Sequence, residues 1–484
     1  MRVMDALDAA MITGEVLASP MHVGALLIFT PPADAGPHFA DDLHRQALMG
    51  GAGIDPRLRV RPHIGLDTLG LWTWRDAEVD LPDHMQARIL PPGSTEHALW
   101  DLVGELHARP LDRSRPQWMA YLIDGLPGGR FAFYIKIHHT LVDGVEGMQM
   151  IADGLSPDPA ARTVKPFYVA GEHSPTRSVE PARSAPGPIS ALRSSIGLAR
   201  NLIGGLGEYV AGAANGTSPA PLSAPHTRFN QRLGSQRAVA GGTWPLHRIR
   251  AIQEAAGVSN NDVLTAVVAG ALRGWLVAHD QLPGRSLIGF CPVSVRVDNA
   301  SAGAGHGNMF GLEQCPLGTD LDDPVERLEL IHRSMEFAKD EVARRGSTVT
   351  ALLTAPNLAP TLLLSAIPLV PRWRTGYNVP ISNVRGPSTD MYFNGAHLDS
   401  MYPISTVFDG LGLNATMCSY AGTMSIGYVA GRNLVPDIQT LVPLTEKSFG
   451  ELESALGITP RPVSRSSRGR SRAGSPGPPP TAGG

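Results

Sequence analysis

Phe131-Ala132-Phe133-Tyr134-Ile135-Lys136-Ile137-His138-His139-Thr140-Leu141-Val142-Asp143-Gly144 is the stretch from which the fold can be read. Its first half alternates, with Phe131, Phe133, Ile135 and Ile137 on one side, which predicts a strand running to His139. The strand ends in an HHxxxDG string. Successive side chains on a strand point to opposite faces, so only one of the two imidazoles can enter a given cleft. His139 shares the parity of the apolar face and is expected to point inward; His138 is expected to point away. An imidazole near its own pKa can take a proton from a hydroxyl at neutral pH, which makes His139 a candidate general base. Asp143 stands where it can fix the loop or the ring, and Gly144 lets the chain turn without a Cβ. Beyond it Val145, Met148, Ile151 and Leu155 have helical spacing. The plainer alternative is a pair of core or metal-binding histidines. Two adjacent histidines and one aspartate do not match HExxH zinc geometry and no third ligand is near, so no metal is expected.

Outward from this stretch, His22 to Phe29 reads as a strand and His97 to Leu106 as a helix with Leu99, Leu102 and Leu106 in one stripe. A proline- and serine-rich break runs from Ser156 to about Pro188, followed by a helical pattern through Ile189, Leu192, Ile196, Ala199, Ile203 and Leu206. Pro219 to Pro225 is loop again. A helix is predicted from about Asn261 to Val277, and strands at Ser286–Phe290, Met309–Cys315, Val379–Val384 and Thr423–Val429. The result is a mixed α/β chain: an N-terminal half over 1–155, a linker and crossover helix over 156–230, a C-terminal half over 231–460, and a tail over 461–484. The tail carries Arg461, Arg465, Arg468, Arg470 and Arg472, no acids and a Ser/Gly/Pro-rich end, a composition that predicts disorder. Such a basic tail is a solvated segment by default, with anionic lipid head groups as the alternative contact.

Composition excludes several function classes. A chain of 484 residues is too long for one ordinary core. A net charge of −3 argues against a duplex binder, and 6% aromatic residues against a stacking platform for single strands, so no nucleic-acid partner is expected. Cys291, Cys315 and Cys418 are odd in number and far apart, which excludes a disulfide framework and a thiolate zinc site. Asp5, Asp8 and Glu15 stand where a signal peptide needs an apolar run, so a cytoplasmic location is expected. Residues 348–371 carry no charge and are long enough to span a bilayer. Pro356, Asn357, Pro360 and Pro368 interrupt them, and the expectation is buried or interfacial helix with peripheral membrane association at most.

The chain resembles the bacterial wax ester synthase/diacylglycerol acyltransferases, coenzyme A-dependent acyltransferases of chloramphenicol-acetyltransferase-like fold. The likeness covers nearly everything up to about residue 460. Besides His138 to Gly144, it is carried by Ser19-Pro20-Met21-His22-Val23-Gly24, by Pro110-Leu111-Asp112-Arg113-Ser114-Arg115-Pro116-Gln117-Trp118, by Asn261-Asp262 at a helix start, by Pro292-Val293-Ser294-Val295-Arg296 and by Ser382-Asn383-Val384-Arg385-Gly386-Pro387. Gln117 replaces the usual leucine and Arg385 the usual proline, changes expected to leave the chemistry intact and to alter the lining of the site. HHxxxDG alone also fits peptide-synthetase condensation domains; the other blocks favour the lipid family.

The resemblance implies two chloramphenicol-acetyltransferase-like halves around a central channel, with His139 near its middle. It implies acyl transfer from acyl-CoA to diacylglycerol or a fatty alcohol, with acyl-CoA as substrate and no cofactor. His139 would be the base and His138 a support for the loop. Asp143 would be structural, paired with an arginine for which Arg296 is the candidate. Asn261 is the candidate oxyanion donor, the alternative being a helix cap. Asp112, Arg113 and Arg115 are expected to form a salt-bridged turn, with Trp118 and His22 packed in the core. A peripheral membrane or lipid-droplet surface is the expected setting. The competing functions are a carrier-protein-dependent condensation or polyketide-lipid esterifying acyltransferase, and a non-catalytic lipid-droplet protein.

Overall fold

The computed structural model describes residues 2–17, 19–50, 53–162, 164–171, 222–294, 310–345 and 375–459. The expected crossover helix from Ile189 to Leu206, the apolar stretch 348–371, Arg296 and the tail from Arg461 lie outside the described residues.

Two six-stranded mixed sheets organise the described chain. The first has the order β12-β13-β2-β7-β6-β5. It consists of β12 (Tyr392–Phe393), β13 (Ala396–Ile404), β2 (His22–Thr30), β7 (Phe131–His138), β6 (Trp118–Asp124) and β5 (Met85–Ile89). The second has the order β10-β9-β11-β14-β15-β8. Its strands are β10 (Phe310–Pro316), β9 (Ile288–Ser294), β11 (Val379–Arg385), β14 (Leu413–Tyr420), β15 (Thr423–Gly431) and β8 (Arg237–Pro245). A small third sheet joins β1 (Arg2–Val3), β4 (Thr73–Asp76) and β3 (Val60–His63). The architecture is mixed α/β, as the interleaved periodicities predict.

The sheets do not divide where the chain divides. Residues 392–404, from the C-terminal half, form the edge of the first sheet: β13 runs antiparallel to β2, from His397 opposite Thr30 to Ile404 opposite Gly24. The two halves are also tied by α4 (Glu96–Ala108), which packs on β8 of the second sheet. Gly104 permits this, because a Cβ there would lie 2.8 Å from the Arg237 carbonyl oxygen. At Gly427 on β15 a Cβ would lie 1.9 Å from the Pro403 carbonyl oxygen on β13, so glycine lets the two sheets touch. The core between them combines Leu26, Ile28, Leu99, Val103 and Tyr134 from one half with Val239, Tyr402 and Val429 from the other. Each such fully buried aliphatic side chain contributes about 1.5–3 kcal/mol.

The other face of the first sheet packs Phe29, Phe131, Phe133 and Ile137 against Trp118 and Tyr168. In the C-terminal half α7 (Asn260–Ala278) lies among α6 (Leu246–Ala256), α8 (Pro324–Arg345) and α9 (Leu441–Ala455), with Leu264, Val267, Leu272 and Trp275 fully buried. The strand expected at Ser286–Phe290 begins later, at Ile288, and continues to Ser294. Pairing with β10 carries it past Pro292, which stands opposite Leu312. β11 pairs with β9 only at Gly289 and Phe290, so the proline falls where that side of β9 has no ladder to break.

Candidate functional site

The HHxxxDG string is held at its main chain by two other blocks of the sequence. The His138 N–H donates to the Gln117 carbonyl at 3.0 Å, and the His139 N–H donates to the Met21 carbonyl at 2.9 Å. Residues 19–24 and 110–118 thus meet at the end of β7. The Leu141 N–H closes a turn onto the His138 carbonyl at 2.9 Å.

The two histidines are in different situations. His138 stands opposite His22 in the β2–β7 register and is fully buried. Its Nδ1 accepts the Thr140 N–H at 3.2 Å and lies 2.7 Å from Thr140 Oγ1. That leaves the ring proton on Nε2, which faces Glu15 Oε2 at 3.3 Å. Glu15 Oε1 in turn accepts the Met21 N–H at 3.3 Å. His139 follows the strand and remains partly exposed. Burial is the largest influence on its ring and lowers the pKa below 6.5; a hydrogen bond to its own main chain raises it, His138 lowers it and Asp143 raises it. The ring is therefore neutral at pH 7, the state able to accept a proton.

The expected pairing of Asp143 with Arg296 lies outside the described residues; the contacts described for Asp143 are those of a helix cap. It is the N-cap of α5 (Gly144–Asp153): its Oδ1 accepts the N–H groups of Val145 and Glu146, both at 2.8 Å, and Glu146 Oε2 accepts the Asp143 N–H at 3.3 Å. This reciprocal capping box explains the aspartate at that spacing. A Cβ at Gly144 would lie 3.1 Å from Val384 Cγ1, so the start of α5 rests on β11 of the other half.

Asn261 lies on the same seam. It is exposed, and its Oδ1 accepts a hydrogen bond from Asn383 Nδ2 of β11 at 2.9 Å. The capping alternative for Asn261 fails, because α7 is capped by Ser259, whose Oγ accepts the Asp262 N–H at 3.3 Å while Asp262 Oδ2 accepts the Ser259 N–H at 2.9 Å. With Oδ1 occupied, the Asn261 Nδ2 donor is left for another acceptor. Sequence reasoning missed Glu15, Thr140 and Asn383. Asn383 sat in the quoted SNV block without a role, and Glu15 registered only as a charge near the N-terminus.

The 110–118 block forms a turn with more to it than ion pairs. Asp112 Oδ1 accepts the Ser114 N–H at 2.9 Å and lies 2.7 Å from its Oγ. Arg115 pairs with Asp83 and lies 3.6 Å from Asp112. Gln117 does not alter the lining of a site: it is buried, and its Nε2 donates to the Asp112 and Arg115 carbonyls at 2.8 and 2.6 Å, closing the turn. Trp118 is buried, donates to the Leu58 carbonyl at 3.0 Å and stacks on His84 and Tyr168. Arg385 is exposed. His22 is buried, with Nε2 2.8 Å from the His107 carbonyl oxygen. Among the described residues, no group of three or more His, Cys, Asp or Glu side chains is arranged to hold a metal ion.

Comparison with known proteins identifies the family. The family model of the wax ester synthase/diacylglycerol acyltransferase catalytic domain matches residues 4–264, and that of the family's C-terminal domain matches 306–453. A putative diacylglycerol O-acyltransferase of Mycobacterium bovis is 37% identical over 466 residues, covering 94% of this chain and 91% of that protein. The solved wax ester synthase/diacylglycerol acyltransferase from Marinobacter aquaeolei VT8 is 32% identical, with a TM-score of 0.75 over 95% of this chain and 100% of that one. The starter condensation domain of rhizomide synthetase, at 14% identity and a TM-score of 0.55 over 94% of each chain, shares the fold alone. Both matched family regions carry parts of the seam described above, and the chain belongs to the wax ester synthase/diacylglycerol acyltransferase family, as an acyltransferase.

Proposed function

We propose that the protein transfers a long-chain acyl group from acyl-CoA to the hydroxyl of diacylglycerol, giving triacylglycerol, and to long-chain alcohols, giving wax esters. The observation that carries the reading is the division between the two histidines. His138 is fully buried with its Nδ1 accepting the Thr140 N–H and its Nε2 lying 3.3 Å from Glu15, whereas His139 is a partly exposed ring whose pKa burial lowers. His139 accepts the proton of the acceptor hydroxyl as that oxygen attacks the thioester carbonyl. The tetrahedral intermediate collapses by breaking the carbon–sulfur bond. The departing CoA sulfur takes the proton back from the imidazolium, and no cofactor enters the balance. The Nδ2 of Asn261, whose Oδ1 is held by Asn383, is the proposed oxyanion donor.

A lipid acceptor calls for contact with a lipid surface. No helix among the described residues is long and apolar enough to cross a membrane. The β3–β4 hairpin instead exposes apolar side chains at its tip, with Leu66 97% and Leu69 91% exposed, and Ile64 and Leu71 beside them. Leu69 also adopts a positive φ of 51°, a conformation that leucine does not favour. The exposed hairpin tip supports peripheral binding to a membrane or lipid droplet, and a cytoplasmic location is proposed with it. The test is product analysis with purified protein, labelled palmitoyl-CoA, diacylglycerol and hexadecanol, with no carrier protein present. Triacylglycerol or wax ester is the expected product. Transfer only from an acylated carrier protein, or no transfer at all, refutes the reading.

A further inference from the structure

We propose that the cavity between the Pro110–Arg113 turn and residues 232–237 binds a phosphate group of the acyl-CoA donor, with Arg113 and Arg237 as its cations. The proposal rests on the acyl-CoA reading above. The cavity, of about 680 Å³, lies between the halves, and its walls include Glu15, Ser19 and Pro20.

Arg237 is the strongest pointer. It is only 6% exposed, yet its guanidinium donates to two main-chain carbonyls, Gly234 at 2.7 Å and Gln236 at 3.3 Å, both from Nη1. Among the described residues no carboxylate lies within ion-pair distance of it; Asp409 acts on it from further away. Arg113 is exposed on the opposite wall and likewise has no ion-pair partner among the described residues. A buried guanidinium needs a counter-charge, and the forked donors of two arginines match the oxygens of a phosphate.

The acids around the cavity do not supply that counter-charge. Glu15 faces His138 at 3.3 Å, Asp112 is taken up by Ser114 and Arg115, and Asp409 accepts the Leu233 N–H at 2.9 Å and faces Arg232 at 3.4 Å. Arg113 and Arg237, both in the cavity wall, thus have no ion-pair partner among the described residues, and only the more distant Asp409 acts on Arg237. The cavity's apolar wall, Pro20, Leu111 and Leu233, suits the pantetheine stem. The location fits as well: Pro20 is followed by Met21, whose carbonyl holds the His139 N–H, so a donor anchored here lies against the segment that positions the base.

Calorimetric titration of the full chain with CoA, dephospho-CoA, pantetheine and inorganic phosphate tests the assignment. CoA is expected to bind more tightly than pantetheine, and more weakly as salt is added. Arg237→Gln and Arg113→Gln should each weaken CoA binding about tenfold, the loss of one charge-assisted contact. The ratio of kcat/KM for palmitoyl-CoA over palmitoyl-pantetheine should fall by the same factor. Arg113 is exposed, so its variant still tests the cavity even if Arg237→Gln does not fold. Equal binding of CoA and pantetheine, unchanged CoA affinity in the Arg113 variant, or inorganic phosphate binding as tightly as CoA overturns the proposal. CoA binding that depends on both arginines without transfer to any lipid hydroxyl would refute the proposed function while leaving this site standing. Transfer with CoA affinity indifferent to both arginines would do the reverse.

Discussion

Replacing Asp143 separates two explanations of the aspartate in HHxxxDG. Were it one half of a buried ion pair, removing it would strand the other charge at a cost of about 3–5 kcal/mol. The geometry makes it a helix cap on a partly exposed residue, with two main-chain N–H groups at 2.8 Å on one carboxylate oxygen. Loss of such a cap costs about 0.5–2 kcal/mol. Asp143→Ala should therefore lower the unfolding free energy by about 1 kcal/mol. Asp143→Asn keeps a good capping oxygen and loses only the interaction of a negative charge with the helix N-terminus, about 0.3–1 kcal/mol. Urea unfolding followed by tryptophan fluorescence reads both. A second readout follows from His139, whose pKa Asp143 raises against the larger effect of burial. Without that carboxylate the ring pKa drops further, so the acid limb of kcat/KM should move to lower pH in both variants. A loss of about 3 kcal/mol or more in both Asp143→Asn and Asp143→Ala would refute the capping account.

Other perturbations bear on the rest of the site. His139→Ala should cut turnover by about 10²–10⁴-fold at saturating palmitoyl-CoA without changing its binding; near wild-type turnover would remove the ring from the mechanism. Because burial lowers the His139 pKa from its usual 6.5, the acid limb of wild-type kcat/KM should have its midpoint below pH 6.5. Asn261→Ala should lower turnover by the equivalent of about 2.7–4 kcal/mol with an unchanged melting temperature, since Ser259 and Asp262 cap α7; a lower melting temperature with normal turnover would contradict this. Leu66→Asn with Leu69→Asn should reduce flotation with diacylglycerol-containing vesicles while leaving the fold intact; unchanged flotation would clear the β3–β4 hairpin of that role. His22, His84, His107 and His139 all have pKa values lowered by burial, that of His107 to about 3, so they stay neutral in the folded protein at pH values where the unfolded chain protonates them. Stability should therefore fall as pH drops from 6.5 toward 3, and a flat profile of urea midpoints across that range would contradict the burial of these rings.

Local pattern revealed those parts of the site that local pattern builds. The alternation of Phe131 to Ile137 gives β7, the spacing after Gly144 gives α5, and strands β2, β10, β11 and β15 fall close to where their apolar runs place them. The alternation understates one thing: Ala132, Tyr134, Lys136 and His138 are buried too, because α4 and β8 cover that face. Lys136 shows how such a face is tolerated, donating to the Leu106 and Arg109 carbonyls at 2.8 and 2.6 Å, with burial lowering its pKa to about 7. Pairing across long sequence distances leaves no local trace. Nothing in Ala396 to Ile404 announces that it joins β2 rather than the strands of its own half, and nothing in Glu15 announces His138. Asp143 carries a local signal of its own, because Glu146, three residues on, completes a capping box.

The adjacency of the two histidines has a physical logic that alternation alone does not supply. A ring nitrogen can accept a substrate proton only if its lone pair is free. In His138 the Nδ1 lone pair takes the Thr140 N–H and Nε2 lies 3.3 Å from the Glu15 carboxylate, so this ring is wedged inside the fold. Its value to the site lies in rigidity: it ties Thr140 to Glu15, and through Glu15 to Met21, whose carbonyl holds the main chain of His139. His139 is thus fixed through its backbone while its ring stays partly exposed, and burial keeps that ring uncharged. A base must be positioned and must also be unprotonated and accessible. One fully buried ring whose Nδ1 already accepts a hydrogen bond cannot meet both demands, whereas two neighbouring residues at one strand end can share them. The sequence order follows: the ring that anchors is the last residue of β7, where the ladder is still intact, and the ring proposed to react is the first residue beyond it.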